Sequence, residues 1–128
     1  MKKVLSGLLF GLLLLFSSVN KTNSMTFEEG IKQSKPMALY LYAGWADNAD
    51  KGMLAFNNMA QKYSNTYNFI TLNIASQEAK AFNKMYHIYP NLPYVLLFRD
   101  GVRFSRYLKM DCVLDSSCFS GKLDVFVN

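Results

Sequence analysis

From Met37 to Ala43 every residue is apolar or aromatic, with Pro36 before the run and Gly44 after it. A strand of this kind has no face to give to water, so it needs cover above and below. The flanking segments are patterned to supply it. Thr26-Phe27-Glu28-Glu29 reads as a capping box, with Thr26 as N-cap and a helix expected to run to about Ser34, where Pro36 stops it. After Gly44, Asp47 suits an N-cap and Asp50 adds negative charge to the first turn. Met53, Phe56, Met59, Ala60 and Tyr63 then recur at helical spacing and form a core-facing stripe.

The pattern continues in the same alternation. Phe69 to Ile74 is a second buried strand, and Gln77 to Tyr86 is a helix with Ala79, Phe82 and Tyr86 on one side. Pro90-Asn91-Leu92-Pro93 breaks it, Tyr94 to Phe98 is a third strand, and Asp100-Gly101 signals a hairpin whose return strand is Val102 to Leu108. Ser116 or Ser117 caps a last helix carrying Phe119, Leu123 and Phe126 inward. Helix-separated strands are expected to pair in parallel through right-handed crossovers, with the hairpin adding an antiparallel edge. The fold class is α/β: a four-stranded mixed sheet with helices on both faces.

Residues 25–128 are one domain's worth of chain. Residues 1–24 are built differently. Met1-Lys2-Lys3 is basic, Val4 to Phe16 is apolar apart from Ser6, Gly7 and Gly11, and Ser17 to Ser24 is polar. That is the layout of a secretory signal peptide. As a helix the apolar run would reach roughly 20 Å against a hydrocarbon core of about 30 Å, so cleavage is expected and a retained membrane anchor is the alternative. Lys2, Lys3 and Lys21 fall in this segment, which lowers the formal charge from +5 to +2 for the remainder. Arg99, Arg103 and Arg106 are spread over the hairpin rather than clustered, so no nucleic-acid partner is expected.

The two cysteines, Cys112 and Cys118, are an even number in a chain read as exported, which points to a disulfide. Closing that short loop would stabilise by roughly 2.4 kcal/mol through lost chain entropy. A displaced redox pair and two free thiols are the alternatives. The segment is expected at the opposite end of the hairpin from the Trp45 turn, where a bridge would pin the last helix to the sheet. Cys118 would then lie in a first helical turn, where thiolates are favoured. His87 is the sole histidine and reads as a helix-end residue. With no further ligands marked beside it, neither a metal nor another cofactor is called for.

Three signatures, taken together, resemble the thioredoxin superfamily. Tyr40-Leu41-Tyr42-Ala43-Gly44-Trp45 is similar to the family's strand leading into Trp-Cys-x-x-Cys. Leu92-Pro93-Tyr94-Val95-Leu96-Leu97-Phe98 resembles its cis-proline and following strand, and Phe98-Arg99-Asp100-Gly101 its Phe-x-x-Gly hairpin. The resemblance spans about Thr26 to Phe126 and implies a thioredoxin-like fold. It also puts Ala46 and Ala49 on the two cysteine positions. A methyl group can neither attack a disulfide nor leave from one, whereas a thiolate does both. Tyr40 stands where many relatives bury an aspartate, and Thr71 where its lysine partner is often found.

The resemblance implies an exported, redox-inactive member of the family acting in the periplasm or on the outer side of the membrane. It would bind protein partners or extended peptide segments of the cell envelope by strand addition beside Pro93, which needs no sulfur. Trp45, Asp47, Asn48, Leu92 and Pro93 are the expected binding residues. An active oxidoreductase using Cys112 and Cys118, and a purely structural domain, are the competing expectations.

Overall fold

β1 (Met37–Tyr42) is the strand around which the protein is built, and Met37 to Leu41 are buried. The computed structural model describes residues 25–128; the leader expected at 1–24 lies outside the described residues. Around β1 run α1 (Phe27–Gly30), α2 (Ala49–Tyr63), β2 (Asn68–Asn73), α3 (Gln77–Met85), β3 (Tyr94–Arg99), β4 (Phe104–Leu108), α4 (Met110–Val113) and α5 (Ser116–Phe126). The sheet order is β2-β1-β3-β4.

Alternation along β1 divides the molecule into two cores. Ala38 and Tyr40 point into a cluster with Phe56, Met59, Val95, Leu97, Val113, Phe119 and Leu123, roofed by α2, α4 and α5. Met37, Leu39 and Leu41 point the other way, toward Phe27, Phe82, Tyr94, Leu96 and Phe98 under α1 and α3. The second core is rich in edge-on rings, such as Phe27 against Phe82 at 4.8 Å. The expectation of an α/β mixed sheet covered on both faces therefore holds.

The direction of one strand differs from expectation. β1 and β2 are parallel, with Tyr40 opposite Thr71, but β3 runs antiparallel to β1, with Leu41 opposite Tyr94. An intervening helix dictates parallel pairing only if the connection returns the chain to the end where the earlier strand began. Residues 86–93, broken by Pro90 and Pro93, instead bring Tyr94 in at the end where β1 leaves. β4 then pairs antiparallel with β3, and Leu108 comes back opposite Val95.

Local details also shift. The Thr26 capping box is present, with Glu29 N–H to Thr26 Oγ1 at 3.1 Å and Thr26 N–H to Glu29 Oε1 at 2.9 Å. The helix it starts ends at Gly30 rather than Ser34. Beyond it the Lys32 and Gln33 N–H groups donate three residues back, to the Glu29 and Gly30 carbonyls, each at 3.2 Å. Gly30 packs so closely on Ile70 and Met37 that a Cβ would overlap both. The hairpin loop is wider than two residues, since Arg99 pairs with Phe104. Asp100 and Gly101 take positive φ of 57° and 70° and start that wider turn. The last helix is capped by Asp115, one residue before the expected serines, whose Oδ1 accepts from the Ser117 and Cys118 N–H groups. Among the described residues no helix is long and apolar enough to cross a membrane.

Gly52 is the clearest packing constraint on α2. A glycine in a helix interior costs about 1 kcal/mol relative to alanine. Here a Cβ would overlap the Tyr40 hydroxyl and press on Met110 Cε. Gly52→Ala should therefore lower stability by about 1–3 kcal/mol through overpacking, against the helix-propensity gain. Urea unfolding measures it; a raised midpoint would contradict this packing account.

Candidate functional site

The chain's only tryptophan, Trp45, is 75% exposed at the end of the sheet where β1 leaves. Between it and α2 the backbone turns tightly, with Ala46 N–H bonded to Ala43 C=O at 3.1 Å. Asn48, not Asp47, is the N-cap of α2. Its φ of 66° is a left-handed conformation that asparagine tolerates better than most residues, and its side chain makes no capping bond. Asp47 is exposed one residue earlier.

Ala46 and Ala49 are half-buried and line a shallow hollow of about 330 Å³ together with Gly44, Asp47, Asn48, Asp50 and Lys51. Beneath it the fully buried Tyr40 hydroxyl donates to the Ala49 carbonyl at 2.6 Å. This bond ties the central strand to the start of α2. Burial, reinforced by the charge of Asp50, pushes the Tyr40 hydroxyl up to about 12, so it is a neutral donor at ordinary pH. Thr71 sits opposite Tyr40 on β2.

A second hollow adjoins the first, sharing Asp47 and Asn48. It is a cleft of about 470 Å³ with Pro90, Asn91, Leu92 and Pro93 on one side and Tyr107, Lys109, Met110 and Asp111 on another. The Leu92–Pro93 peptide bond is cis. Pro93 is buried and Leu92 half-buried. Of the residues singled out from sequence, Asp47, Asn48, Leu92 and Pro93 come together here. Trp45 does not line the cleft.

Cys112 and Cys118 are bridged, with their Cα atoms 5.1 Å apart. The bridge joins α4 to the first turn of α5. Its position corrects the expectation that it lies far from the Trp45 turn. Because β3 runs antiparallel to β1, the β3–β4 turn is at the opposite end, and β4 delivers Leu108 and α4 back to the Trp45 end. A third hollow, of about 400 Å³, is lined by both cysteines, Leu108, Asp115 and Lys122, and shares Tyr107, Lys109 and Asp111 with the cleft. The end of the sheet thus carries one strip, from the two alanine methyl groups through the cleft to the disulfide.

The cleft's second wall was missed from sequence because it depends on β3 and β4 register. The length of the hairpin was the available signal, since it returns Leu108 beside the start of β3. Aromatic packing stiffens this wall: Tyr107 lies 4.9 Å from Tyr94 and 5.5 Å from Tyr89, and the Tyr94 hydroxyl accepts from Tyr89 N–H at 2.8 Å. His87 is exposed just past α3 and touches Tyr89 rather than the cleft. Among the described residues, no group of three or more His, Cys, Asp or Glu side chains could hold a metal.

No protein-family profile matches the chain, and no curated protein matches it. Solved structures do. One, described as the structure of a malarial protein, aligns over 70% of this chain and 94% of that one with a TM-score of 0.56 and 12% identity. At that identity the likeness speaks to the fold alone.

Burial also pushes Tyr94 up to about 12 and Tyr67 above the ordinary tyrosine range. An unfolded tyrosine ionises near 10. Below that pH both states are protonated and the stabilisation is complete. Above it the unfolded chain loses protons first, so stability falls as pH rises from about 10 to 12. Tyrosinate absorbance from these three residues should appear only together with loss of far-ultraviolet dichroism. Their ionisation near pH 10 in an intact fold would contradict the burial account.

Proposed function

We propose that the chain is a thioredoxin-like domain without catalytic thiols that binds extended protein segments in the cleft between Asp47, Asn48, Leu92 and Pro93. The observation that carries this reading is the open cleft in which Leu92 and Pro93 face Asp47 and Asn48 before α2, next to the hollow lined by Ala46 and Ala49. The sheet order β2-β1-β3-β4, with only β2 parallel to β1, supports the family reading. The half-buried Leu92 beside the cleft supports strand addition through its backbone, in which main-chain hydrogen bonds give affinity and side-chain pockets give selectivity. The charge pattern of residues 1–24 supports export, and with it a partner in the cell envelope.

A second reading, an oxidoreductase working through Cys112 and Cys118, is favoured by the disulfide's place beside the cleft. Disulfide reduction of insulin above that of a Cys112→Ser variant would favour it over the binding module.

The binding reading is tested with a fluorescently labelled, reduced and carboxymethylated insulin B chain as an extended probe. Asn91 is exposed and lines the cleft, so Asn91→Phe fills the space without disturbing the core. Fluorescence anisotropy should register probe binding by the parent and at least about tenfold weaker binding by the variant, equivalent to ~1.4 kcal/mol. Equal binding by both would remove the cleft from the account.

A further inference from the structure

We propose that the Cys112–Cys118 disulfide is a thiol-addressable clip that holds one wall of the cleft in place. It would make segment binding sensitive to dithiol reductants while leaving the rest of the fold intact. The proposal rests on the reading of the cleft as a binding site.

The wall in question is the strip Lys109-Met110-Asp111, which leads into α4. α4 is a single turn, far too short to persist by its own hydrogen bonds. Three attachments hold it, the first being Met110, which is half-buried and packs on the core beside Gly52. Val113 is fully buried in the core beneath α2 and α5. Cys112, one residue earlier, is bonded to Cys118 on α5. α5 itself is firmly seated, since Phe119 and Leu123 are fully buried and its start is capped by Asp115. The disulfide therefore adds a covalent tie from this single-turn segment to a longer, well-seated helix.

The bridge is also within reach. Both cysteines are half-buried and line an open hollow, in contrast to a bridge sealed inside the core. That hollow and the cleft have Tyr107, Lys109 and Asp111 in common, so whatever reaches the sulfurs borders the strip that forms the wall.

The chemistry balances with a dithiol as the reductant. Its thiolate attacks one sulfur of the bridge, the protein S–S bond breaks, and a mixed disulfide forms. The reductant's second thiol then closes its own disulfide and releases the protein as two thiols. Two electrons and two protons pass to Cys112 and Cys118, and the reductant is oxidised by the same amount. With the covalent tie gone, Val113 and the half-buried Met110 remain as non-covalent anchors on the core, and Lys109 and Asp111 keep local hydrogen bonds such as Val113 N–H to Lys109 C=O at 3.1 Å.

Amide hydrogen exchange on the oxidised and dithiothreitol-reduced domain tests the clip without any ligand. Val113 and Leu114 donate to the Lys109 and Met110 carbonyls. Their exchange should rise at least about tenfold on reduction, while amides of β1, β3 and Phe119 change by less than about twofold. Unchanged protection in α4, or protection lost equally across the sheet, would overturn the proposal. The thiol-free variant Cys112→Ser/Cys118→Ser must reproduce the reduced pattern without reductant, and retention of the oxidised pattern would count against the clip. The carboxymethylated insulin B chain then separates the two readings. Several-fold weaker binding to the reduced form supports control of the cleft, and equal binding to both forms overturns it. Binding to neither form sinks the cleft reading, while the exchange data still decide whether the disulfide clips α4.

Discussion

Two-sided burial of β1 is the constraint from which the rest of the structure follows. Met37, Leu39 and Leu41 feed one core, and Ala38 and Tyr40 the other. Fully burying side chains of this size is worth about 1.5–3 kcal/mol each. Such a strand must sit inside the sheet, and it takes β2 on one side and β3 on the other. Both helical layers are then obligatory, and the end of β1 becomes the place where α2 has to start. Tyr40 connects these requirements. Its ring packs on Phe56 at 5.5 Å, its hydroxyl holds the Ala49 carbonyl, and Gly52 leaves it room.

What the site can do follows from which groups this geometry presents. Ala46 in the turn and Ala49 at the start of α2 supply only methyl groups. A neutral tyrosine, Tyr40, lies below them. What remains is the shape of the cleft, its exposed polar side chains and the main chain beside Pro93. Those features are the basis of the proposal that the cleft recognises an extended chain. The two cysteine sulfurs are one short strip away, as a disulfide attached to the opposite wall.

Much of the fold was legible in the residues because local chemistry and global fold agree there. The apolar run from Met37, the Thr26–Glu29 box and the Phe56–Met59–Ala60 stripe are each specified by near neighbours and are found as expected. The helix caps are less legible. Asp47 and Asn48 are both good caps, and the choice of Asn48 turns on a left-handed φ imposed by the turn after Ala43. Ser116 and Ser117 concealed Asp115 in the same way. The direction of β3 was illegible for a different reason: parallel or antiparallel entry depends on where residues 86–93 travel in space. That single difference moved Tyr107, Lys109, Met110, Asp111 and the disulfide to the Trp45 end. Half of the candidate site was therefore visible in sequence, namely the half built from the segments around Asn48 and Pro93.

The central claim is that this end of the sheet recognises an extended chain by shape and hydrogen bonding. Titrating isotopically labelled domain with the unlabelled carboxymethylated insulin B chain, and following backbone amide chemical shifts, tests it most directly. The account predicts that the perturbed amides form one contiguous patch containing Asp47, Asn48, Asn91, Leu92 and Asp111. Saturating shifts confined to another surface, such as the β3–β4 turn or the exposed side of α5, would contradict it.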